Sequence, residues 1–313
     1  MARARVSVLC ALLVCAPLPS IAQSIESVGI RAQGVAGAFV AVADDATATW
    51  WNPAGLPHSQ SFIDGIVEVG RGGHWGVAFG FPALGLSYYH LNISQIRPPA
   101  STAAGGTSRQ DDGAVGTDLP VTYSVDFNQF GATVGQSLGD HFVVATTVKV
   151  MYAQSDTRGD FDLGAMAAFG PVRAGLNVRN LIGGTFGTPG TSGAGTGVFE
   201  LTRQARAGVA VTPRTAGSLD RLTLSLDVDL TTAPFEGRDE RHVAGGAEAW
   251  LRGRRVAVRG GAGVNMVSDG GDAAYGAVGI TVSPFQRWFV DGVASWGPTE
   301  DRNRWGFDLR VTF

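Results

Sequence analysis

The chain has 313 residues, of which 44% are hydrophobic and only 16% are charged, and its formal net charge at pH 7 is -3. This acidic balance argues against a nucleic-acid-binding surface, which needs a basic patch. Its two cysteines, Cys10 and Cys15, both lie near the N-terminus, so we expect no disulfide and no thiolate metal site in the rest of the chain.

Residues 1–22 have the pattern of a secretory signal peptide. Two arginines precede an apolar run from Val6 to Leu18 that is too short to span a bilayer. Small residues follow it, which predicts cleavage before Gln23. Lipidation at Cys15 is the alternative, but the residues before Cys15 match a lipoprotein cleavage site poorly. We therefore expect export by a signal peptide that is removed.

Residues 23–61 lack the alternation of a strand and are rich in Ala, Gly and Val. Asp44 or Asp45 can cap a short helix over residues 46–51, because a carboxylate accepts hydrogen bonds from the first free amides of a helix. Pro53 disfavours helical geometry at Asn52, so the helix should end there.

From Phe62 to the end, apolar side chains occupy alternate positions in short segments that are separated by Gly, Asp, Pro and Asn. We count roughly fourteen strands of about ten residues, a length that suits tilted strands crossing a membrane. No later stretch is apolar enough for a transmembrane helix. Residues 62–313 are therefore predicted to form an antiparallel transmembrane β-barrel, with loops at 94–122 and 183–197.

The third predicted strand, residues 83–92, contains an irregularity. Its apolar side chains occupy even positions up to Tyr88 and odd positions from Tyr89 onward. A change of parity predicts a bulge or a kink, and Pro82 and Gly85 lie close to it.

The last strand, residues 303–313, is apolar on one face and polar on the other. The apolar face carries Trp305, Phe307, Leu309, Val311 and Phe313. A strand of a soluble sandwich can alternate in the same way, but it rarely ends the chain on an aromatic residue. The ending resembles the C-terminal signature of Gram-negative outer-membrane barrels. That resemblance implies an outer-membrane location, contact with membrane lipid, and recognition of these five residues by the barrel-assembly machinery.

Residues 29–48 and 51–56 resemble the N-terminus of the FadL superfamily of fatty-acid transporters. That superfamily includes aromatic-hydrocarbon channels and a shorter PorV/PorQ-like branch. The diagnostic residues are Asp44, Asp45, Asn52, Pro53, Ala54, Gly55 and Leu56. The resemblance implies fourteen strands, with residues 23–61 folded inside the barrel as a plug. An N-terminal helix packed on any β-domain is the alternative.

Charged residues lie on the polar faces of the predicted strands. In lipid, a basic residue at the midplane costs about 2–4 kcal/mol, so we expect these side chains to face the lumen. The set comprises Asp64, Glu68, Lys149, Asp162, Arg173, Arg206, Asp227, Asp229, Glu248, Arg259, Asp291, Asp308 and Arg310. They can bind one another and the plug, or they can form a polar passage or a head-group site for an amphipathic ligand.

The sequence carries no clear motif for catalysis or metal binding. The five histidines lack ligand spacing, and no Gly-x-Ser-x-Gly motif is present. Asp227 and Asp229 share a strand face, where salt bridging is favoured over acid–base work. The Asp269–Asp272 sequence is favoured as a turn over a calcium site. We expect no enzyme activity, no cofactor and no metal. Aromatic girdles at the membrane interface account for Trp75, Trp250, Trp288, Trp296 and Trp305.

Two functions remain open. The FadL resemblance implies passage of hydrophobic small molecules, such as fatty acids or hydrocarbons, with sideways release through a kinked third strand. The candidate residues for that opening are Pro82, Gly85, Tyr88 and Tyr89. The PorV-like alternative is an accessory barrel that holds cargo for a protein secretion system. An apolar pocket between the plug and the outer loops would favour transport.

Overall fold

The computed structural model of this chain describes residues 28–58, 64–70, 74–97, 121–153, 156–188, 197–235, 238–267, 274–297 and 303–313. The predicted signal peptide, the ends of the predicted plug and the Asp269–Asp272 turn lie outside these ranges.

The described residues form three short helices followed by strands. The helices are α1 (Ile30–Gln33), α2 (Ala48–Trp51) and a 3-10 helix (Pro53–His58). None of the helices in the described ranges is long and apolar enough to cross a membrane. The strands are β1 (Asp64–Gly70), β2 (Trp75–Gly80), β3 (Leu84–Arg97), β4 (Val121–Leu138), β5 (Phe142–Ala153), β6 (Asp156–Phe169), β7 (Val172–Arg179), β8 (Gly184–Thr188), β9 (Gly197–Leu201), β10 (Gln204–Val211), β11 (Leu219–Asp229), β12 (Ala233–Phe235), β13 (Arg238–Glu240), β14 (His242–Leu251), β15 (Val256–Asn265), β16 (Tyr275–Phe285), β17 (Trp288–Trp296) and β18 (Arg304–Thr312).

Within the described part of the chain, fourteen strands close into one antiparallel barrel, which confirms the predicted fold. The closing pair is β1 with β18, where Val67 lies opposite Leu309. Strands β8 and β9 form a separate hairpin, as do β12 and β13. At one end of the barrel, here called the turn end, connections are as short as residues 286–287 between β16 and β17. The other end, the loop end, carries longer connections and both hairpins. Short turns face the periplasm in barrels of this kind.

Alternation along the strands separates an apolar outer face from a polar lumen. On β18, Trp305 and Phe307 are 52% and 53% exposed, whereas Asp308 and Arg310 are 5% and 8% exposed. Strand β5 alternates in the same way over its whole length. A closed barrel with an apolar outer belt spans a membrane, and barrels of this type lie in the bacterial outer membrane. Recognition of the last strand by assembly machinery stays a prediction.

The predicted kink in the third strand is wrong. Strand β3 pairs with β2 from Gly85 to His90 without interruption, and it pairs with β4 along its whole length. Tyr88 lies on the partly exposed outer side, whereas Tyr89 and Leu91 are buried inside the lumen. Strand β3 is therefore regular, and its apolar residues at odd positions form an apolar part of the lumen surface. Because β3 is continuously paired with β2 and β4 past Tyr88, the wall has no gap at Gly85, Tyr88 and Tyr89, and Pro82 lies in the turn before β3.

Two smaller expectations also need correction. Trp250 is not part of an outer girdle: it is buried in the lumen, where its indole N–H donates a 2.9 Å hydrogen bond to Glu248. Its even position on β14 gives it the same inward direction as Glu248. The predicted loop at 183–197 contains part of the β8–β9 hairpin, whose register places Phe186 opposite Phe199.

Candidate functional site in the barrel lumen

The N-terminal segment, defined as residues 28–58, lies inside the barrel. Nearly all of its described side chains from Val28 to Leu56 are buried, and they contact lumen-facing residues of strands around the wall. Helix α2 begins after a turn in which Asp45 Oδ1 accepts a 3.0 Å hydrogen bond from the backbone N–H of Thr47. It ends at Trp51, and Asn52 is extended before Pro53, as the sequence predicts.

Glycine occupies the wall where the N-terminal segment passes closest. A Cβ atom on Gly246 would lie 2.6 Å from the Cβ of Val35, and one on Gly261 would lie 2.4 Å from the carbonyl carbon of Val35. A Cβ on Gly175 would lie 2.6 Å from the carbonyl oxygen of Val40. These separations are too short for any side chain, so the wall is shaped to accept this segment.

The Asn-Pro-Ala-Gly-Leu motif fixes the segment to β6. Asn52 Nδ2 donates to the carbonyl oxygens of Val40 (2.9 Å) and of Ala165 on β6 (3.1 Å). Its Oδ1 accepts a 3.1 Å hydrogen bond from the N–H of Ala54. Gly55 is required because a Cβ there would lie 1.8 Å from the carbonyl oxygen of Ala43. Pro53 begins the 3-10 helix, and Leu56 is fully buried.

The two aspartates of the Ala-Asp-Asp motif meet Arg31. Arg31 Nη1 lies 2.5 Å from Asp44 Oδ1 and 3.1 Å from Asp45 Oδ2. Asp44 Oδ2 also lies 3.2 Å from Arg221 and 3.9 Å from Arg173, both on the wall. Burial by itself raises the pKa of Asp44, but the three arginines outweigh it and hold that pKa well below its ordinary value.

Three predicted lumen carboxylates accept hydrogen bonds from the segment. Glu68 Oε2 accepts one from the N–H of Gly29 at 2.7 Å. Glu248 accepts two from the Arg31 guanidinium, both at 2.8 Å. Asp227 Oδ2 accepts two from the backbone N–H groups of Phe39 and Val40, both at 2.8 Å.

Other predicted lumen charges pair along the wall. Lys149 Nζ lies 2.7 Å from Asp162, and Arg206 Nε lies 2.5 Å from Asp229. The remaining inward residues are Arg259, which lies 2.7 Å from Asp291, and Asp308 and Arg310, which are buried on β18. For Asp64 only the backbone is described, in register with Thr312. Among the residues that the structure describes, no group of three or more His, Cys, Asp and Glu side chains can hold a metal ion.

An apolar patch lines the lumen toward the loop end, and the sequence reasoning missed it. This loop-end cluster comprises Trp50, Tyr89, Leu91, Phe127, Met151, Ala153 and Phe186, all of which are buried. The ring of Trp50 contacts Tyr89 edge to face at 5.4 Å, and Phe127 contacts Phe186 of the β8–β9 hairpin at 5.8 Å. The N-terminal segment therefore forms the floor of the cluster and the hairpin covers it. The apolar residues at inward positions of β3 and β5 are the feature of the sequence that could have predicted this cluster.

Voids lined by described residues adjoin the N-terminal segment on two sides. A small crevice near the loop end lies beside Trp50 and Trp51, where the Arg179 guanidinium stacks 3.8 Å above the Trp50 ring. A larger cavity of about 210 Å³, here called the turn-end cavity, lies on the opposite side of the segment. The turn-end cavity is lined by Arg31, Asp44, Arg221, Trp250, Arg254, Phe289, Arg310 and Thr312.

The closed barrel, its apolar belt and its occupied lumen define an outer-membrane β-barrel with an inserted N-terminal segment. Its fold is that of the FadL-type hydrocarbon transporters. The CymD monoaromatic hydrocarbon channel matches with a TM-score of 0.61 at 11% identity, over 91% of this chain and 97% of CymD. The Ralstonia pickettii toluene transporter TbuX matches with a TM-score of 0.62 at 10% identity, over 92% of this chain and 99% of TbuX.

A third solved structure shares the fold. The Pseudomonas putida toluene transporter TodX matches with a TM-score of 0.55 at 9% identity, over 93% of this chain and 98% of TodX. A family model described as "F plasmid transfer operon, TraF, protein" matches residues 76–229, which is slightly less than half of the chain. No curated protein sequence matches. At these identities the structural likeness establishes the fold, and the function needs its own argument.

Proposed function

We propose that this barrel carries small hydrophobic molecules across the outer membrane and that the loop-end cluster is where they first bind. The observation that carries the proposal is the apolar inner face of β3, β4 and β5, formed by Leu91, Phe127 and Met151. Many other described lumen-facing positions carry polar or charged side chains, such as Glu68, Lys149 and Asp227, whereas this patch offers apolar contacts. An apolar surface with few polar groups suits a hydrophobic ligand.

The position of the loop-end cluster fits capture from outside the cell. The β8–β9 hairpin belongs to the loop end, and Phe186 from this hairpin packs on Phe127. A ligand that enters must replace the contacts of Phe186, and the ring of a single aromatic molecule offers comparable edge-to-face contacts. CymD, TbuX and TodX, which share the fold, are described as carriers of monoaromatic hydrocarbons or toluene. We therefore propose single-ring hydrocarbons as the substrate class.

The route inside the barrel follows the N-terminal segment in this proposal. Continuous pairing of β2, β3 and β4 argues against sideways release at Tyr88. The two voids instead lie on the loop-end and turn-end sides of the segment. Passage between them requires a local shift of the segment around Phe39 and Val40. The outer apolar belt contacts membrane lipid in this arrangement. The comparisons do not favour a secretion-accessory role.

A pair of matched substitutions tests the binding site. Met151 and Met166 are both buried and both face inward, but Met151 lies in the loop-end cluster and Met166 packs near the turn end with Ala54 and Val143. Met151→Gln places a polar amide against the ligand without changing the length of the side chain. We expect it to weaken toluene binding by roughly five- to thirtyfold, the effect of about 1–2 kcal/mol from an unpaired amide. Met166→Gln should leave toluene affinity unchanged.

Toluene binding to the purified protein in mild detergent is measured by calorimetry and by native mass spectrometry. Equal toluene affinity in the wild type and in the Met151→Gln variant would contradict a loop-end site. Failure of the wild type to bind toluene or any other single-ring hydrocarbon would contradict the substrate class. A co-purified protein partner with no bound hydrophobic molecule would favour the accessory role instead.

A further inference from the structure

The turn-end cavity differs in chemistry from the loop-end cluster. Four arginines line it (Arg31, Arg221, Arg254 and Arg310), whereas Asp44 is the single carboxylate among the described residues that line it. Two aromatic rings, Trp250 and Phe289, complete much of the wall and meet edge to face at 6.0 Å. A cavity with clustered guanidinium groups and aromatic walls suits a ligand with a negative charge and a flat apolar part.

The described carboxylates nearest the turn-end cavity have partners in the N-terminal segment or in the barrel wall. Glu248, which accepts both of its bonds from Arg31, is turned toward that residue. Asp44 is shared by Arg31, Arg221 and Arg173. Asp291 bonds Arg259 at 2.7 Å, and it lies opposite Asp308 on the neighbouring strand, where both carboxylates interact electrostatically with Arg310. Asp220 accepts a 3.0 Å hydrogen bond from the backbone N–H of Arg254.

The size of the turn-end cavity limits the ligand. Its volume of about 210 Å³ is smaller than the roughly 300–1,000 Å³ that pockets for drug-sized ligands occupy. A long acyl chain does not fit inside it, whereas a single ring with a carboxylate does. Arg254 lies in the exposed turn 252–255 at the periplasmic side, so the cavity stands at the mouth of the barrel.

We propose that the turn-end cavity is a binding site for the carboxylate of a single-ring aromatic acid. This inference rests on the proposed function in one respect: it extends the substrate class from hydrocarbons to their acids. Arg254 and Arg310 hold the carboxylate, and the ring lies against Trp250. Phe289 is already covered by Arg310, whose guanidinium carbon lies 4.5 Å from the centre of that ring. Arg310 therefore has a fixed orientation toward the cavity.

Calorimetry with benzoate, benzamide and inorganic phosphate tests the site on the full-length purified protein. Benzamide has the shape of benzoate without its charge, and phosphate has charge without a ring. We expect benzoate to bind more tightly than either probe, and its affinity to fall as salt is added. Arg254→Gln should weaken benzoate binding roughly tenfold or more, because a charge-assisted hydrogen bond is lost. Arg252→Gln, in the same exposed turn but outside the cavity lining, should leave it unchanged.

Three results would overturn the proposal. Benzoate could bind no tighter than benzamide, Arg254→Gln could behave like Arg252→Gln, or phosphate could bind as well as benzoate and respond equally to Arg254→Gln. Toluene binding, measured on the same preparations, separates this site from the proposed function. Toluene affinity should respond to Met151→Gln and not to Arg254→Gln. If the wild-type protein binds toluene but not benzoate, the carboxylate site alone is rejected. If it binds benzoate but not toluene, the loop-end site alone is rejected.

Discussion

Arg31 and Glu248, which are 217 positions apart in the chain, are joined by two parallel hydrogen bonds of 2.8 Å from the Nε and Nη2 atoms of the arginine. Both side chains are buried, with 5% and 3% of their surface exposed. The bidentate pair links helix α1 of the N-terminal segment to strand β14 of the wall. The segment is therefore held to the barrel wall by directional contacts.

Removing Arg31 should destabilise the protein more than neutralising Glu248. Arg31→Met leaves Asp44, Asp45 and Glu248 without their shared cation, and breaking a buried ion pair in this way costs about 3–5 kcal/mol. Glu248→Gln leaves Arg31 paired with both aspartates, so we expect a loss of about 1–3 kcal/mol. Thermal unfolding in detergent, measured as the change in gel mobility on heating, ranks the stabilities of the two variants. A reversed order would show that Arg31 does not act through all three carboxylates.

Asp227 should protect two particular backbone amides from hydrogen exchange. Its Oδ2 accepts from the N–H groups of both Phe39 and Val40. Asp227→Ala leaves both groups buried without an acceptor, at about 1–3 kcal/mol each, whereas Asp227→Asn keeps a carbonyl oxygen there. Hydrogen exchange read by mass spectrometry should accelerate at residues 39 and 40 in the alanine variant and less so in the asparagine variant. Amides of β18 serve as the internal control, and unchanged protection at 39 and 40 would contradict the role of Asp227.

Neighbouring glycines on β15 offer a matched test of how closely the N-terminal segment packs. A Cβ on Gly261 would lie 2.4 Å from the Val35 carbonyl carbon, whereas a Cβ on Gly260 meets nothing nearer than 3.7 Å. Gly261→Ala should therefore cost about 1–3 kcal/mol by overpacking against backbone that cannot move aside. Gly260→Ala points away from the lumen and should be nearly neutral in the same unfolding assay. Equal stability of the two variants would mean that the segment does not contact β15.

The alternation of side chains made much of the barrel predictable. Period-two patterning depends only on the covalent geometry of a strand, so Trp305 and Asp308 could be assigned to opposite faces from the sequence. The end of helix α2 before Asn52 is predictable from neighbouring residues alone, because Pro53 restricts the backbone of the residue before it. Inward direction of the charged residues follows from the cost of placing them in lipid.

Long-range packing accounts for what the sequence did not predict. A polar lumen predicts a bulge at Tyr89, because the side chain is apolar at an inward position. Trp50, 39 positions away, makes an apolar inward residue favourable there. The inward direction of Trp250 is predictable from the sequence, since Trp250 and Glu248 both occupy even positions on the same strand. The β8–β9 hairpin lies in a Gly- and Thr-rich stretch without alternation. Its position depends on the contact of Phe186 with Phe127 on a distant strand.

The stability of the protein should depend on Asp44 in the acid range. The pKa of Asp44 is lowered in the folded state, where burial opposes the charge but Arg31, Arg221 and Arg173 outweigh burial. A group with a depressed folded pKa stabilises the protein above the ordinary pKa of an aspartate, which is about 4, and this contribution is lost as the pH falls further. Asp44→Asn should therefore lower the unfolding temperature at pH 7, and the difference from the wild type should narrow at pH 3.

The control for Asp44 is Asp140→Asn in the exposed turn between β4 and β5. Asp140 lies on the surface, where screening by water and salt leaves little electrostatic stabilisation to lose. Its substitution should leave the unfolding temperature nearly unchanged at both pH values. A constant difference between wild type and Asp44→Asn from pH 7 to pH 3 would show that the negative charge of Asp44 does not stabilise the fold. The hydrogen-bonding shape of the side chain would then account for the effect.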